Sequence, residues 1–145
     1  VTPLYLDTGA MAKLYLLEPG SEHTARLLAA YRPPFPFSHW QEIEIRTALR
    51  LKVFRGEMSG RESQESLRHL RTDIGSGVWQ RPVYDPADVF HEAERLSARH
   101  AATLGCRTLD VLHVAAAVVL NATDFLTYDV RQANLARKAG LRVIA

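Results

Sequence analysis

Short apolar runs that each stop at an aspartate, with a helical pattern after each, constrain this chain more than any other feature. Leu4-Tyr5-Leu6 ends at Asp7, and Phe125-Leu126-Thr127-Tyr128 ends at Asp129. Runs this short read as buried strands, and the longer apolar spacing that follows reads as helix. Strands alternating with helices predict an α/β fold with a mostly parallel sheet, since parallel neighbours need a long, usually helical, crossover.

The stretches between these two strands fit the same scheme. Thr8 is expected to cap a helix through Met11, Leu14 and Leu17 that Pro19-Gly20 breaks, and Ser21 to open a second one. Pro33-Pro34-Phe35-Pro36 leads into an extended Phe37-Ser38, and a helix is predicted from about Trp40 to Arg55, stopped by Gly56. Ser59 and Glu62 form a capping box for the next helix. A strand-like Val78 to Tyr84 precedes Asp85-Pro86, an N-cap followed by proline at the first helical position. That helix should end at Gly105. Thr108 opens a very apolar helix over Leu109 to Leu120, a last helix closes at Gly140, and Leu141 to Ala145 reads as the final strand.

With 145 residues, no internal repeat and no long linker, the expected organisation is one domain over 1–145. The lone Cys106 rules out an intramolecular disulfide and offers no thiolate cluster for zinc, so a reducing cytoplasm is the expected compartment. No apolar run is long enough for a membrane span, and no basic region followed by an apolar stretch suggests a secretory signal. Net charge is +2, which permits nucleic-acid binding without arguing for it.

The placing of the acids says more. Asp7 and Asp129 each end a strand that feeds a helix, and in open α/β sheets ligands bind beyond the carboxyl ends of the parallel strands. The alternative is that each only caps its helix. Asp110 lies in the first turn of a helix apolar on nearly every face, where an ionised carboxylate needs a partner. That partner is either a cation or an arginine such as Arg107. On the 40–55 helix, Glu44 shares a face with Trp40, Thr47, Ala48 and Leu51, the expected core side, whereas Glu42 lies with Arg46, Leu49 and Val53. Periodicity favours Glu44 without settling the choice. Four carboxylates in one crevice need a counter-charge, and hard oxygen donors suit Mg²⁺ or Mn²⁺. Such a site fits hydrolysis of a nucleic-acid backbone.

Four strings carry a family resemblance. Leu6-Asp7-Thr8-Gly9-Ala10-Met11-Ala12-Lys13-Leu14-Tyr15 resembles the opening of PIN-domain toxins of the VapC type, and Glu44-Ile45-Arg46-Thr47-Ala48-Leu49 resembles their second acidic motif. Arg107-Thr108-Leu109-Asp110-Val111-Leu112-His113-Val114-Ala115-Ala116-Ala117 is similar to the third, and Leu126-Thr127-Tyr128-Asp129-Val130-Arg131-Gln132-Ala133 to the last. The match runs in order over essentially the whole chain. It implies a three-layer α/β/α sandwich around a central, mostly parallel sheet of four to five strands. It also implies a Mg²⁺- or Mn²⁺-dependent ribonuclease, a homodimer, and an antitoxin protein that occludes the active site. Asp7, Glu44, Asp110 and Asp129 carry over as metal ligands and water-activating groups, with Thr8 and Thr127 as polar supports. Gly9 departs from the pattern, standing where the family carries serine.

Other residues are weaker candidates. Asp124 could be mistaken for the fourth acid, but it precedes its strand where Asp129 follows it. The histidines lack metal-ligand spacing, and His113 reads as a hydrogen-bonded core residue. Lys13, Arg46, Arg50, Lys52, Arg55 and Arg131 could meet RNA phosphates or simply face solvent. A phosphoaspartate enzyme would need a second aspartate where Gly9 stands. The rival from another class is a PIN-like RNA- or protein-binding module without cleavage. A DNA-directed nuclease would share the chemistry and differ only in substrate.

Overall fold

The computed structural model describes residues 3–145. In chain order the elements are β1 (Leu4–Leu6), α1 (Thr8–Ala12), α2 (Ser21–Leu28), β2 (Phe35–Pro36), α3 (His39–Phe54), α4 (Gly60–Gly75), β3 (Trp79–Gln80), α5 (Pro86–Leu104), α6 (Thr108–Val119), β4 (Asp124–Leu126), α7 (Val130–Lys138) and β5 (Arg142–Ile144). They divide into two compact units, one of residues 3–7 with 82–145 and one of residues 8–81.

The first unit holds a parallel sheet in the order β1-β4-β5. Leu4, Tyr5 and Leu6 stand opposite Asp124, Phe125 and Leu126, which in turn pair with Arg142, Val143 and Ile144. All three β1 residues are buried, and so are Phe125 and Leu126. Removing each such side chain from water contributes about 1.5–3 kcal/mol. Tyr5 stacks on Phe125 with ring centroids 5.5 Å apart, and its hydroxyl meets Nδ1 of His113 at 2.9 Å, which ties α6 to the sheet. His113 is thus the core histidine the sequence predicts.

Helices α5 and α6 pack on one another, and α7 packs on both and on β5. Asp85 caps α5 by accepting from the Ala87 N–H at 2.9 Å, and Gly105 ends it in the left-handed region at φ 69°. That conformation costs other residues a steric clash, so the glycine sets the helix end. Asp124 and Arg142 form a two-bond pair, at 2.6 and 2.9 Å, across the first register position of β4 and β5. Asp124 therefore serves the sheet as the first residue of β4, a strand that spans Asp124–Leu126 where the sequence predicts Phe125 to Tyr128.

In the second unit, α3 packs on α1 and α4, and β2 pairs with β3 in parallel. The extended segment lies at Phe35–Pro36 rather than Phe37-Ser38, because Ser38 is already committed as the N-cap of α3. Its hydroxyl accepts from the Gln41 N–H, and the Gln41 side chain accepts from the Ser38 N–H at 2.7 Å. The predicted box at Ser59 and Glu62 is likewise formed, with both bonds at 3.1 Å.

The expected core face of α3 is corrected. Gln41, Ile45 and Leu49 are buried, whereas Thr47 and Leu51 are exposed and Trp40 and Ala48 are half-buried. Apolar residues occur all round this helix, Ile43 and Phe54 being exposed as well, so periodicity alone picks no side. The capping box turns the Gln41 face inward instead. The first helix is also shorter than predicted. It stops at Ala12, and three N–H groups then bond three residues back, from Lys13 to Ala10, Leu14 to Met11 and Tyr15 to Ala12. The Tyr15 hydroxyl donates to Asp73 at 2.5 Å and accepts from Trp79 Nε1 at 2.6 Å, which holds this turn in the unit's core.

The described strands form a three-stranded sheet and a separate two-stranded one, where the motif resemblance implies one sheet of four to five. The two residues of β2 explain its short reach: Pro36 has no N–H to donate, so only Phe35 and Phe37 bond to Val78 and Gln80.

Candidate active site

Because β1 and β4 are parallel neighbours, their carboxyl ends lie side by side, and the residues just beyond them meet. The Thr127 hydroxyl donates to Asp7 Oδ2 at 2.5 Å and accepts from the Asp129 N–H at 3.0 Å. Asp7 and Thr127 are almost wholly buried. One hydroxyl thus fixes the acid after β1 against the backbone of the acid after β4.

Asp129 is the N-cap of α7. Its Oδ1 accepts from the N–H groups of Arg131 at 2.8 Å and Gln132 at 3.1 Å, an arrangement that stabilises a carboxylate at a helix start. Its Oδ2 takes no hydrogen bond among the described residues. The capping role weighed against a site role for Asp129 is therefore real, and it occupies one oxygen only.

The Gln132 side chain links this pair to the third acid. Its Nε2 donates to Asp110 Oδ1 at 3.1 Å, while Asp110 Oδ2 accepts from the Arg107 backbone N–H at 2.8 Å. Asp110 is 5% exposed and makes no ion pair among the described residues. The arginine alternative is not realised: Arg107 supplies an amide, not its guanidinium. Asp7, Thr127, Asp129, Gln132 and Asp110 so form one hydrogen-bonded line inside the first unit. Sequence reasoning misses Gln132 for a simple reason: three residues after an aspartate N-cap, it reads as half of a capping box.

In the second unit the half-buried Glu44 accepts from the Thr8 hydroxyl at 2.9 Å. Glu42 is committed elsewhere, to Arg46 at 2.7 Å and to Arg81. Burial pushes the Glu42 carboxyl up, but the hydrogen bonds and charges of Arg81 and Arg46 outweigh it and hold the group below the usual range. Among the basic residues, Lys13 pairs with Glu18, and Lys52 with Glu18 and Glu57.

Every acid named here offers hard oxygen donors, the kind that Mg²⁺ and Mn²⁺ take. Gln132 Oε1 is buried with no hydrogen-bond partner among the described residues, an unmet polar demand beside Asp110. No group of three or more His, Cys, Asp or Glu side chains among the described residues is placed to hold a metal ion. Asp7, Asp110 and Asp129 each accept from a local O–H or N–H donor. No described helix is long and apolar enough to cross a membrane.

No family model matches the chain, and no curated protein does. Among solved structures, FitAcB from Neisseria gonorrhoeae superposes with a TM-score of 0.70 at 17% identity, over 98% of this chain and 96% of that one. At that identity the likeness speaks for architecture alone. With the β1-β4-β5 parallel sheet and its helices, it shows that this chain has a PIN-like α/β fold.

Proposed function

We propose that the chain is a metal-dependent endoribonuclease that hydrolyses RNA phosphodiester bonds as the toxin of a toxin–antitoxin pair, with Asp7, Glu44, Asp110 and Asp129 holding Mg²⁺ or Mn²⁺. The observation that carries this reading is the hydrogen-bonded line of three acids that starts beyond the carboxyl ends of β1 and β4 and reaches the first turn of α6, in which Asp7 and Asp110 are buried and Asp110 makes no ion pair among the described residues. Such acids are costly to keep ionised without a counter-charge. The shared fold supports the reading at the level of architecture. The antitoxin partner, the homodimer, the single domain and a cytoplasmic setting come with the resemblance of the four motifs.

A divalent cation bound there would acidify a water molecule and offset charge on the phosphodiester. The chain's own residues supply the rest. Thr127 orients Asp7, the start of α7 orients Asp129, and Gln132 with the Arg107 amide orients Asp110. Asp129 keeps Oδ2 available. Thr8 orients Glu44. A second reading, a binding module without cleavage, is favoured by one observation: among the described residues the acids as placed form no ion-holding group.

Labelled RNA incubated with the purified chain, with Mn²⁺ or Mg²⁺ and with EDTA, separates the two. Metal-dependent cutting is expected, and Asp110→Asn should lower it by about 100-fold or more. That variant should still fold: its Oδ1 can accept from the Arg107 N–H while its Nδ2 donates to a reversed Gln132 amide. Cutting that persists in EDTA, or in Asp110→Asn at full rate, would sink the proposed site. Binding of RNA without cutting would establish the module instead.

A further inference from the structure

We infer that Arg61, Arg68 and Arg71 make the outward face of α4 a docking strip for the phosphates of an RNA strand; the inference rests on the RNA reading above. Helical spacing puts Ser63, Ser66 and Leu70 on one side of α4, and all three are buried. Arg61, Gln64 and Arg68 fall on the opposite side with Arg71 beside them, and all four are exposed. The three arginine side chains make no hydrogen bond and no ion pair among the described residues. Glu65, the acid at the edge of this face, pairs with none of them there, while Glu62 is taken by the capping box and Asp73 by Tyr15. Three basic residues that the sequence offers as phosphate contacts, Lys13, Arg46 and Lys52, are paired with acids instead.

At the rise of an α-helix, Arg61 to Arg71 spans about 15 Å. Arg68 and Arg71 line one hollow of about 290 Å³ together with Gln64 and Leu67. Every basic side chain of α4 other than His69 is an arginine. A guanidinium fork grips two phosphate oxygens at once, where an ammonium offers only a point charge. A nucleic-acid strand repeats one sign of charge along its length, which three unneutralised cations in a row complement. Gln64 stands among them with an amide that both donates and accepts, which suits a ribose hydroxyl, a group that an acidic peptide lacks. Because α4 packs on α3, the helix of Glu44, the strip belongs to the same unit as one of the proposed ligands.

The test measures binding of a labelled oligouridylate in EDTA over a range of salt concentrations, then cutting of labelled RNA with Mn²⁺. Wild type is compared with a triple variant, Arg61→Gln with Arg68→Gln and Arg71→Gln. A control, Arg26→Gln with Arg95→Gln and Arg137→Gln, removes the same charge from other exposed positions. Glutamine is a good helix former, so α4 should persist, and circular dichroism checks it. In the α4 variant affinity should fall about tenfold or more, with a rise in KM for cutting and kcat kept. The slope of log affinity on log salt should lessen by about 2, since each phosphate contact on a single strand contributes about 0.7. The control should bind as wild type does. An equal loss in the control, or an unchanged slope in the α4 variant, would overturn the inference while leaving the nuclease reading intact. So would a wild type that cuts RNA but binds none in EDTA. An α4 variant that keeps RNA binding but loses binding of poly-glutamate would assign the face to an acidic protein instead. If wild type neither binds nor cuts RNA, the RNA reading itself fails and this inference falls with it.

Discussion

Replacing Thr127 by valine removes one hydroxyl and changes almost nothing else in volume. The side chain is 1% exposed, so no water can take its place. Two bonds are lost together, the one to Asp7 Oδ2 at 2.5 Å and the one from the Asp129 N–H at 3.0 Å. A hydrogen bond to a charged group contributes about 1.5–3 kcal/mol, and leaving a part-buried N–H without an acceptor costs about 1 kcal/mol more. The expected loss is about 2–4 kcal/mol, or a fall in Tm of roughly 5–15 °C for a chain of this size. Urea unfolding of the metal-free protein followed by far-UV circular dichroism measures it. Thr127→Ser, which keeps the hydroxyl and loses a methyl, should cost no more than about 1.5 kcal/mol. If the valine variant lies within about 0.5 kcal/mol of wild type, the hydroxyl does not tie the two acids together, and the line of bonds through Thr127 is wrong.

Two further predictions concern pH. Burial first, then the bond to Asp73, pushes the Tyr15 phenol far above its ordinary value. The unfolded chain loses that proton near pH 10 while the folded chain keeps it, so this contribution is whole below pH 10 and declines as pH rises beyond it. Tyr15→Phe should flatten that alkaline decline and, by stripping the acceptor from Trp79 Nε1, cost about 1–3 kcal/mol at neutral pH; an unchanged alkaline limb would refute the assignment. Glu42 behaves in the opposite sense, its carboxyl being held low when folded. Its contribution is present above the unfolded value of about 4.3 and is lost as pH falls through the lower folded one. Glu42→Gln should weaken the acid dependence of stability and cost about 0.5–1 kcal/mol at neutral pH, read from urea midpoints at pH 3 to 7.

Local signals in this chain are readable wherever the backbone's own hydrogen bonding decides the outcome. Ser59 with Glu62, Asp85 with Pro86, and Gly105 mark helix ends that need no distant partner, and each occurs where expected. The strand after which Asp7 stands is equally clear, because a short apolar run between polar neighbours has few other uses, whereas β4 starts one residue earlier and ends two residues earlier than the apolar run suggests. Asp124 and Asp129 can be told apart because one opens the strand and the other follows it.

Tertiary structure decided what several faces or several partners could have satisfied. Leu14 and Leu17 continue a helical pattern that the chain abandons after Ala12, since Tyr15 gains Asp73 and Trp79 as partners only when the chain turns there. The inward face of α3 followed Gln41, a polar residue, because apolar side chains surround that helix. Glu42 has a partner that no local pattern announces, since Arg81 lies far along the chain. Gln132 shows the same limit most sharply: its sequence position suits a cap, and only the packing of α7 on α6 turns its amide to Asp110. The sequence determines which residues can end a strand or begin a helix, because those bonds close within a few residues. Which carboxylates share a neighbourhood is set by β1 and β4 lying side by side, a pairing over more than a hundred residues that no local pattern encodes.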